Sequence, residues 1–287
     1  MIKHLLIVFS LCWLLISCAN DMKSNKPIVT VSLPVQEYFV RAISDTLVDV
    51  NVMIPVTAGH STYTPLPSQL KALSSSSLYL AIGTLDFEEA WKDRLTSVQP
   101  SLVWARLDGG VEPCYGVHCH HDGCSHSHSH AESKTMDPHY WVSPKQAKVM
   151  VDNIAREISS HCGVADTLMS ARVERLKATI DSMDQRLEQS SAKAFMIYHP
   201  ALTYLARDYG MVQLTIEQEG KSISPREYAE QIEKARELGV KVVFCQKGYD
   251  TERVKGAVDD LGARVVEIQP ESADYLLQME IIIEALK

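Results

Sequence analysis

Residues 165–190 read ADTLMSARVERLKATIDSMDQRLEQS, a run that contains neither glycine nor proline. Its apolar residues recur at alternating spacings of four and three, which places them on one face of a helix. These residues are Met169, Val173, Leu176, Ile180, Met183 and Leu187. At 1.5 Å per residue the helix would extend roughly 35–40 Å, about the length of a small domain. The run is therefore either a stiff link between two domains or a surface helix within one domain.

Strand-like and helix-like segments alternate on both sides of this helix. The first strand-like run is Ile28–Leu33, and the same alternation resumes at Ala194. Such alternation predicts parallel sheets with helices on both faces. We therefore predict an α/β protein of two lobes, each a parallel sheet flanked by helices, joined by one long rigid helix. The predicted bounds are 27–164 for the N-terminal lobe, 165–192 for the linking helix and 193–287 for the C-terminal lobe.

The N-terminus has the pattern of an export signal. Leu5–Ile16 is almost entirely apolar, and Leu15-Ile16-Ser17-Cys18 resembles a bacterial lipobox. The run is short for a bilayer span, which needs about 20 apolar residues, but it suits a signal peptide. We predict a signal peptide at 1–17, lipidation at Cys18 and a membrane-anchored tether at 18–26. An uncleaved membrane anchor is the alternative.

The charge and the cysteine content limit which partners the protein can have. The net charge of -8 and the lack of a basic run argue against nucleic-acid binding. Outside the cytoplasm thiols tend to pair, yet five cysteines remain once Cys12 of the signal and the predicted lipidation site Cys18 are set aside, so at least one is unpaired, intermolecular or metal-bound. Their pairing cannot be chosen from the sequence. They are Cys114, Cys119, Cys124, Cys162 and Cys245.

A His-rich segment interrupts the N-terminal lobe at 112–134. It has no apolar periodicity, which predicts a mobile loop that builds no core. Imidazole and thiolate suit zinc, copper and nickel better than calcium or magnesium. Because the spacing is irregular, we predict several weak, exchangeable metal sites; an inert polar insertion is the alternative. The predicted secondary ligands are His118, His120, His121, His126, His128 and His130.

Three other histidines each follow an inferred strand. His60 and His139 lie in the N-terminal lobe, and His199 lies in the C-terminal lobe. Ligands of open α/β sheets bind beyond the carboxyl ends of the strands, so these imidazoles would meet between the lobes. Three imidazoles and a fourth ligand make a tetrahedral zinc site. Taken singly, each histidine could equally be a structural residue, such as a helix cap at His199-Pro200.

Three motifs resemble the ZnuA-like, cluster A-I substrate-binding proteins of zinc and manganese ABC transporters, which have the TroA-like fold. The motifs are Asp137-Pro138-His139-Tyr140-Trp141 before Ser143-Pro144, Tyr198-His199-Pro200-Ala201 with Tyr204 and Tyr209-Gly210, and Tyr63-Thr64-Pro65-Leu66-Pro67-Ser68. The resemblance spans essentially the whole mature chain. It implies two lobes joined by a rigid helix, with His60, His139 and His199 as metal ligands. A histidine at the third position and the His-rich loop point to zinc.

Two positions depart from the family pattern. Gly59-His60-Ser61-Thr62-Tyr63 lacks the usual Asp-Pro and has one extra residue after the histidine, so its loop must bulge for His60 to reach the metal. Gln269 stands where many members carry an aspartate. The fourth ligand is therefore Glu271, a water or a residue of the His-rich loop. Glu217 and Glu219 are expected to shape the field of the cleft.

The predicted function is capture of Zn(II) outside the cytoplasm and its delivery to the permease of an ABC importer. We predict a monomer in the periplasm or its equivalent, anchored to a membrane through lipid. The alternatives are a manganese or iron binder of the same fold, a metal buffer that serves no transporter, and a zinc hydrolase. No H-E-x-x-H motif is present, so no enzyme activity is predicted.

Overall fold

The N-terminal lobe is built on a four-stranded parallel sheet. The computed structural model describes residues 26–59, 62–115, 136–218, 221–248 and 251–287. The strands lie in the order β2-β1-β3-β4, and every neighbouring pair is parallel. They are β1 (Ile28–Val31), β2 (Asp49–Val52), β3 (Ser76–Ala81) and β4 (Val103–Arg106). The accompanying helices are α1 (Pro34–Ser44), α2 (Pro67–Leu73), α3 (Asp86–Val98) and α4 (Pro144–Cys162), with a 3-10 turn at Tyr140–Val142.

A second parallel sheet forms the C-terminal lobe. Its strand order is β10-β9-β5-β6. The strands are β5 (Ala194–Ile197), β6 (Val212–Thr215), β9 (Val242–Gln246) and β10 (Arg264–Ile268), and β7 (Glu217–Gln218) pairs antiparallel with β8 (Lys221–Ser222). The lobe also contains α6 (Thr203–Asp208), α7 (Pro225–Glu237), α8 (Thr251–Leu261) and α9 (Tyr275–Ala285). The predicted α/β class with two parallel sheets is confirmed; the small hairpin was not predicted.

The helix between the sheets is α5 (Asp166–Glu188). Five of the six apolar residues of its predicted stripe are buried, and Val173 is partly buried. The helix packs against α1 and α4 of the first lobe and against α9 of the second. At its end, Arg186 donates to both Glu280 and Glu284 of α9. It is thus a packed element that contacts both lobes. The lobe bounds of 27–164 and 193–287 stay a prediction.

Local sequence signals explain where several helices begin and end. Ser224 and Glu227 form a reciprocal capping box at the start of α7, with Pro225 in the first turn. This pair satisfies two backbone N–H groups that the first helical turn leaves without intrahelical partners. Helix α4 begins at Pro144 and is followed by Gly163, whose φ of 65° suits a residue without a Cβ. Because α4 begins three residues after Trp141, the Asp137–Trp141 motif lies at the N-terminal end of this helix.

One apolar core runs through both lobes. Val29 and Val31 of the first sheet belong to the same buried cluster as Phe195 and Phe244 of the second. Burial of apolar surface is the main favourable term in folding, and sharing it across the sheets holds the lobes together. The strand ends that carry the candidate ligands are therefore held in place by the same apolar core.

Candidate metal centre

His139 is a buried imidazole oriented by its own motif. It lies at the start of the 3-10 turn Tyr140–Val142 and is 4% exposed. Asp137 Oδ1 lies 2.9 Å from His139 Nδ1 and also accepts the backbone N–H of His139 at 2.8 Å. A carboxylate at Nδ1 favours the tautomer with its proton there and its lone pair on Nε2. Asp137 thus leaves the lone pair on Nε2 of His139 available to another partner.

His199 has the same kind of partner on the second sheet. It follows β5 directly, separated from it only by Tyr198. Its Nδ1 lies 3.3 Å from Oε1 of Glu217, a buried carboxylate in β7. The backbone of His199 is held by Gln246, whose side chain accepts from the His199 N–H at 3.3 Å and donates to its carbonyl at 2.7 Å. Gln246, at the end of β9, therefore fixes the main chain of His199, and Glu217 of β7 contacts its ring.

The two imidazoles come together across the lobes. Their ring centroids are 5.7 Å apart at an interplanar angle of 75°. Glu271, in the turn between β10 and α9, places Oε1 4.0 Å from His139 Nε2. Two ligand atoms at tetrahedral angles on one zinc ion, each about 2.1 Å away, lie about 3.4 Å apart. The Glu271–His139 separation of 4.0 Å is thus about 0.6 Å longer than a shared metal requires.

Burial and neighbouring charges shift the pKa values of His139, Asp137 and Glu271. Burial alone would lower the pKa of His139, but the Asp137 carboxylate outweighs it, so the pKa lies above its usual value. Burial likewise opposes ionisation of Asp137, yet the charge and hydrogen bonds of His139 hold its pKa below the usual range. Burial raises the pKa of Glu271, against the opposing effect of His139 and His199. Protons would therefore compete with a metal for Glu271 as the pH falls.

A clasp between the lobes lies beside the two histidines. We define the interlobe clasp as Ser143, Gln146, Arg207 and Asp208. Oδ2 of Asp208, in α6, accepts from Ser143 Oγ at 2.5 Å and Gln146 Nε2 at 2.9 Å, while Oδ1 accepts from Arg207 Nε at 2.7 Å. Since Ser143 is four residues from His139 and α6 follows His199, the clasp fixes the histidine-bearing segments relative to one another.

The residues that flank the His-rich loop on both sides are hydrogen-bonded to α6. Tyr204 OH accepts from the Cys114 N–H at 3.2 Å and donates to the Asp137 carbonyl at 2.9 Å. Arg207 donates to the carbonyl of Glu112 at 2.7 Å. The two ends of the loop thus contact the helix that follows His199, and the second end leads directly into His139.

Comparison with known proteins identifies the family. The model of the family described as zinc-uptake complex component A, periplasmic (ZnuA) matches residues 29–287. The chain belongs to this family. It is 26% identical over 281 residues to the high-affinity zinc uptake system protein ZnuA of Bacillus subtilis, across 90% of this chain and 85% of that protein.

Other relatives agree with this assignment. The zinc-binding lipoprotein AdcA of Streptococcus pneumoniae is 27% identical over 230 residues, across 75% of this chain. The chain spans about half the length of the AdcA relatives, at 44% for this protein and 56% for that of Streptococcus pyogenes.

Solved structures of ZnuA resemble this chain closely. A crystal structure of ZnuA is 28% identical with a TM-score of 0.78, covering 91% of this chain and 97% of that one. A zinc-bound deletion mutant of ZnuA gives a TM-score of 0.79 at the same identity, covering 92% and 99%. A manganese-bound periplasmic metal binding protein of Candidatus Liberibacter asiaticus, 19% identical across 91% of this chain and 100% of that one, shares the fold with a TM-score of 0.75.

Membership of the ZnuA family confirms two predictions. The predicted resemblance to ZnuA-like proteins is correct over the folded chain. The family consists of zinc-uptake binding proteins and not of enzymes, which removes the zinc hydrolase from the alternatives. Within the residues that the model describes, no helix combines the length and apolar character needed to cross a membrane.

The predicted ligands of the ZnuA-family site divide into two groups. His139 and His199 lie side by side, and Glu271, an open alternative for the fourth ligand, lies next to His139. His60 and the loop histidines from His118 to His130 lie outside the described residues, as do Glu219, which was expected to shape the field of the cleft, and the predicted lipidation site Cys18. Across the described ranges, no three His, Cys, Asp or Glu side chains reach the spacing of a complete metal site. Their roles as ligands therefore stay predictions.

The cysteine predictions also stay open. Cys114 and Cys245 are buried, and Cys162 is half-buried with its Sγ 4.0 Å from Ser77 Oγ. Cys119 and Cys124 lie outside the described residues.

Sequence reasoning missed three supporting residues of the ZnuA-family site. It quoted Asp137 and Trp141 only as motif letters, and it assigned Glu217 to the general field of the cleft. The structure gives Asp137 and Glu217 the specific task of orienting His139 and His199. An acid two residues before a candidate ligand is a usable signal, since ligating histidines almost always donate their other N–H to an acceptor. No sequence signal connects Glu217 with His199, because that contact depends on the pairing of strands.

Proposed function

We propose that this protein captures Zn(II) outside the cytoplasm in a site between its lobes and delivers it to the permease of an ABC importer. His139 and His199 are the central ligands, His60 is the third, and Glu271 or a water completes the site. The names of the B. subtilis and S. pneumoniae relatives, a zinc uptake protein and a zinc-binding lipoprotein, support this function.

The observation that carries the proposal is the pair of oriented imidazoles. His139 and His199 come from different sheets, stand 5.7 Å apart between ring centroids, and each has a carboxylate within 3.3 Å of Nδ1. A purely structural histidine needs no such partner on a second sheet. Two lone pairs directed from opposite lobes are what a metal captured between lobes requires.

Outside this pair, the proposal includes the His-rich loop and the lipid anchor. The histidines from His118 to His130 provide weak secondary zinc sites, and tethering raises the effective concentration of the main site, for a zinc ion held on the loop, to roughly the millimolar scale. Lipidation at Cys18 anchors the protein, as a monomer, to a membrane outside the cytoplasm.

Metal titration of the mature protein tests the main site. His139→Ala is compared with wild type and with a matched control, His161→Ala, whose imidazole lies at the end of α4 beside Glu157. Loss of an orienting partner alone weakens metal sites roughly 10–100-fold, so loss of the ligand should weaken the tight zinc site by more than about a hundredfold. The control should bind as wild type. A tight site that survives His139→Ala would contradict the interlobe centre and leave the loop as the zinc binder.

Manganese is the second candidate cargo, and one observation favours it. Glu271 brings a carboxylate to the two imidazoles, and oxygen ligands suit Mn²⁺ better than an all-imidazole site does. Competition between the two metals on the same wild-type sample decides the cargo. Growth of a deletion strain in low zinc, complemented by wild type or His139→Ala, then separates an importer component from a metal buffer.

A further inference from the structure

Trp141 links the His139 segment to the Glu271 segment. Its side chain is fully buried, and its ring centroid lies 5.5 Å from that of His139. The indole Nε1–H donates at 2.9 Å to the carbonyl of Pro270, on the opposite lobe. Pro270 is the residue immediately before Glu271. One side chain of the N-terminal lobe thus packs near one candidate ligand and is bonded to the backbone beside another.

The turn that carries Glu271 is held at several further points. The backbone N–H of Val35, in the first turn of α1, donates to the Glu271 carbonyl at 2.9 Å. Within the turn, Ser272 N–H donates to the Gln269 carbonyl at 2.9 Å, and Gln278 Oε1 accepts the Gln269 N–H at 2.7 Å. The bonds within the turn make it rigid, while the two from the other lobe set where it lies relative to His139. Of those two, only the Trp141 bond comes from a side chain.

We infer that Trp141 is a positioning residue: through the Pro270 carbonyl it holds the Glu271 carboxylate at the metal position and thereby sets the preference between manganese and zinc. The inference rests on the proposed function, because it assumes that His139 and His199 bind the cargo. It adds a determinant of selectivity that touches no metal.

The chemistry of the ligands explains why selectivity responds. Imidazole is a good ligand for zinc, whereas carboxylate oxygen contributes a larger share of the affinity for manganese. When Trp141 loses its N–H, the Pro270 carbonyl is left without a donor that it has in the folded protein, and the turn gains freedom to shift. A shifted turn moves the carboxylate and leaves the two imidazoles in place. Manganese binding therefore falls more than zinc binding.

The test compares Trp141→Phe with a matched control, Trp104→Phe, on the edge strand β4, where the indole stacks on Tyr79. Zinc alone and manganese alone are titrated into each mature protein. Trp141→Phe should weaken manganese binding roughly 10–100-fold, the usual range for a residue that orients a ligand. The ratio of zinc to manganese affinity should rise about tenfold, equivalent to about 1.4 kcal/mol. Trp104→Phe should leave this ratio of affinities unchanged. A general loss of stability would also leave the ratio unchanged, so a change in the ratio reports on the site itself.

A double-mutant cycle establishes that the effect passes through Glu271. In a Glu271→Ala background, Trp141→Phe should change neither the affinities nor their ratio, because the group that it positions is gone. An equal effect in both backgrounds, or an unchanged ratio in Trp141→Phe, would overturn the inference. If Trp141→Phe does not fold, 3-benzothienylalanine at position 141 keeps the bicyclic ring and lacks the N–H. A tight site that survives His139→Ala overturns the proposed function and this inference together, whereas a His139-dependent site with an unchanged ratio overturns the inference alone.

Discussion

Glu88 is a buried carboxyl group that makes stability depend on pH. It lies in the first turn of α3 and is 4% exposed. Its Oε1 accepts from the Ser32 hydroxyl and from the Ile82 N–H at 2.7 Å, and its Oε2 accepts from the Gly83 N–H at 2.7 Å. Burial raises the pKa of Glu88 to about 7, although these hydrogen bonds and Arg106 oppose the rise. The group joins the ends of β1 and β3 at the side of the sheet where the ligand loops emerge.

The magnitude follows from that pKa. A rise from 4.5 to about 7, at about 1.4 kcal/mol per pH unit, amounts to about 3 kcal/mol. Between these values the folded protein keeps a proton that the unfolded chain has released. The free energy of unfolding must therefore fall as the pH rises through this window, and the contribution of Glu88 becomes constant above about pH 7. Stabilisation from this group is complete below about pH 4.5.

Denaturant unfolding of the metal-free protein, with chelator present, measures this dependence. Between pH 5 and pH 8, wild type should lose about 2.5 kcal/mol more than Glu88→Gln, because the amide cannot ionise. Any repulsion between the amide NH₂ and the Gly83 N–H is independent of pH and shifts the whole curve without changing its slope. His139 and Glu271 titrate in both proteins, so their contributions cancel in the difference.

The neighbouring Glu89→Gln is the matched control. Glu89 is exposed in the same turn of α3, so this variant should follow the wild-type profile. The reasoning about Glu88 is refuted if the profiles of wild type and Glu88→Gln run parallel within about 1 kcal/mol over the whole range, since burial of the carboxyl would then carry no proton linkage.

Two further substitutions test the supports of the site. Asp208→Ala removes the acceptor of the interlobe clasp and the carboxylate partner of Arg207, which keeps its bond to the Glu112 carbonyl. It should lower the free energy of unfolding by about 3–5 kcal/mol, measured by denaturant titration. Asp208→Asn should lose clearly less, and equal losses would assign the effect to something other than these bonds. Glu217→Gln weakens the partner of His199 Nδ1 and should reduce zinc affinity about tenfold, measured by calorimetry. Unchanged affinity there, beside an unchanged Glu230→Gln control, would contradict a role for Glu217 in orienting His199.

Much of the fold could be predicted because its signals are local. The stripe from Met169 to Leu187 requires only the period of a helix, and α5 begins one residue after and ends four residues before the predicted limits of 165 and 192. The Ser224 cap and the alternation of strands with helices are equally short-range patterns. The β7–β8 hairpin escaped prediction because two-residue strands carry no periodic signal.

The candidate site was predictable only where chemistry and chain position coincide. His139 and His199 each combine a ligating side chain with a place at the end of a sheet, and both features can be read along the chain. The contact of Trp141 with Pro270 joins residues 129 positions apart and depends on how the two lobes pack against α5 and the shared core. A contact between a side chain and the backbone of a distant residue produces no pattern of composition or spacing in the sequence. The contact that gives Trp141 its proposed role therefore becomes visible only when the packing of both lobes is known, although the residue itself stands in the Asp137–Trp141 motif.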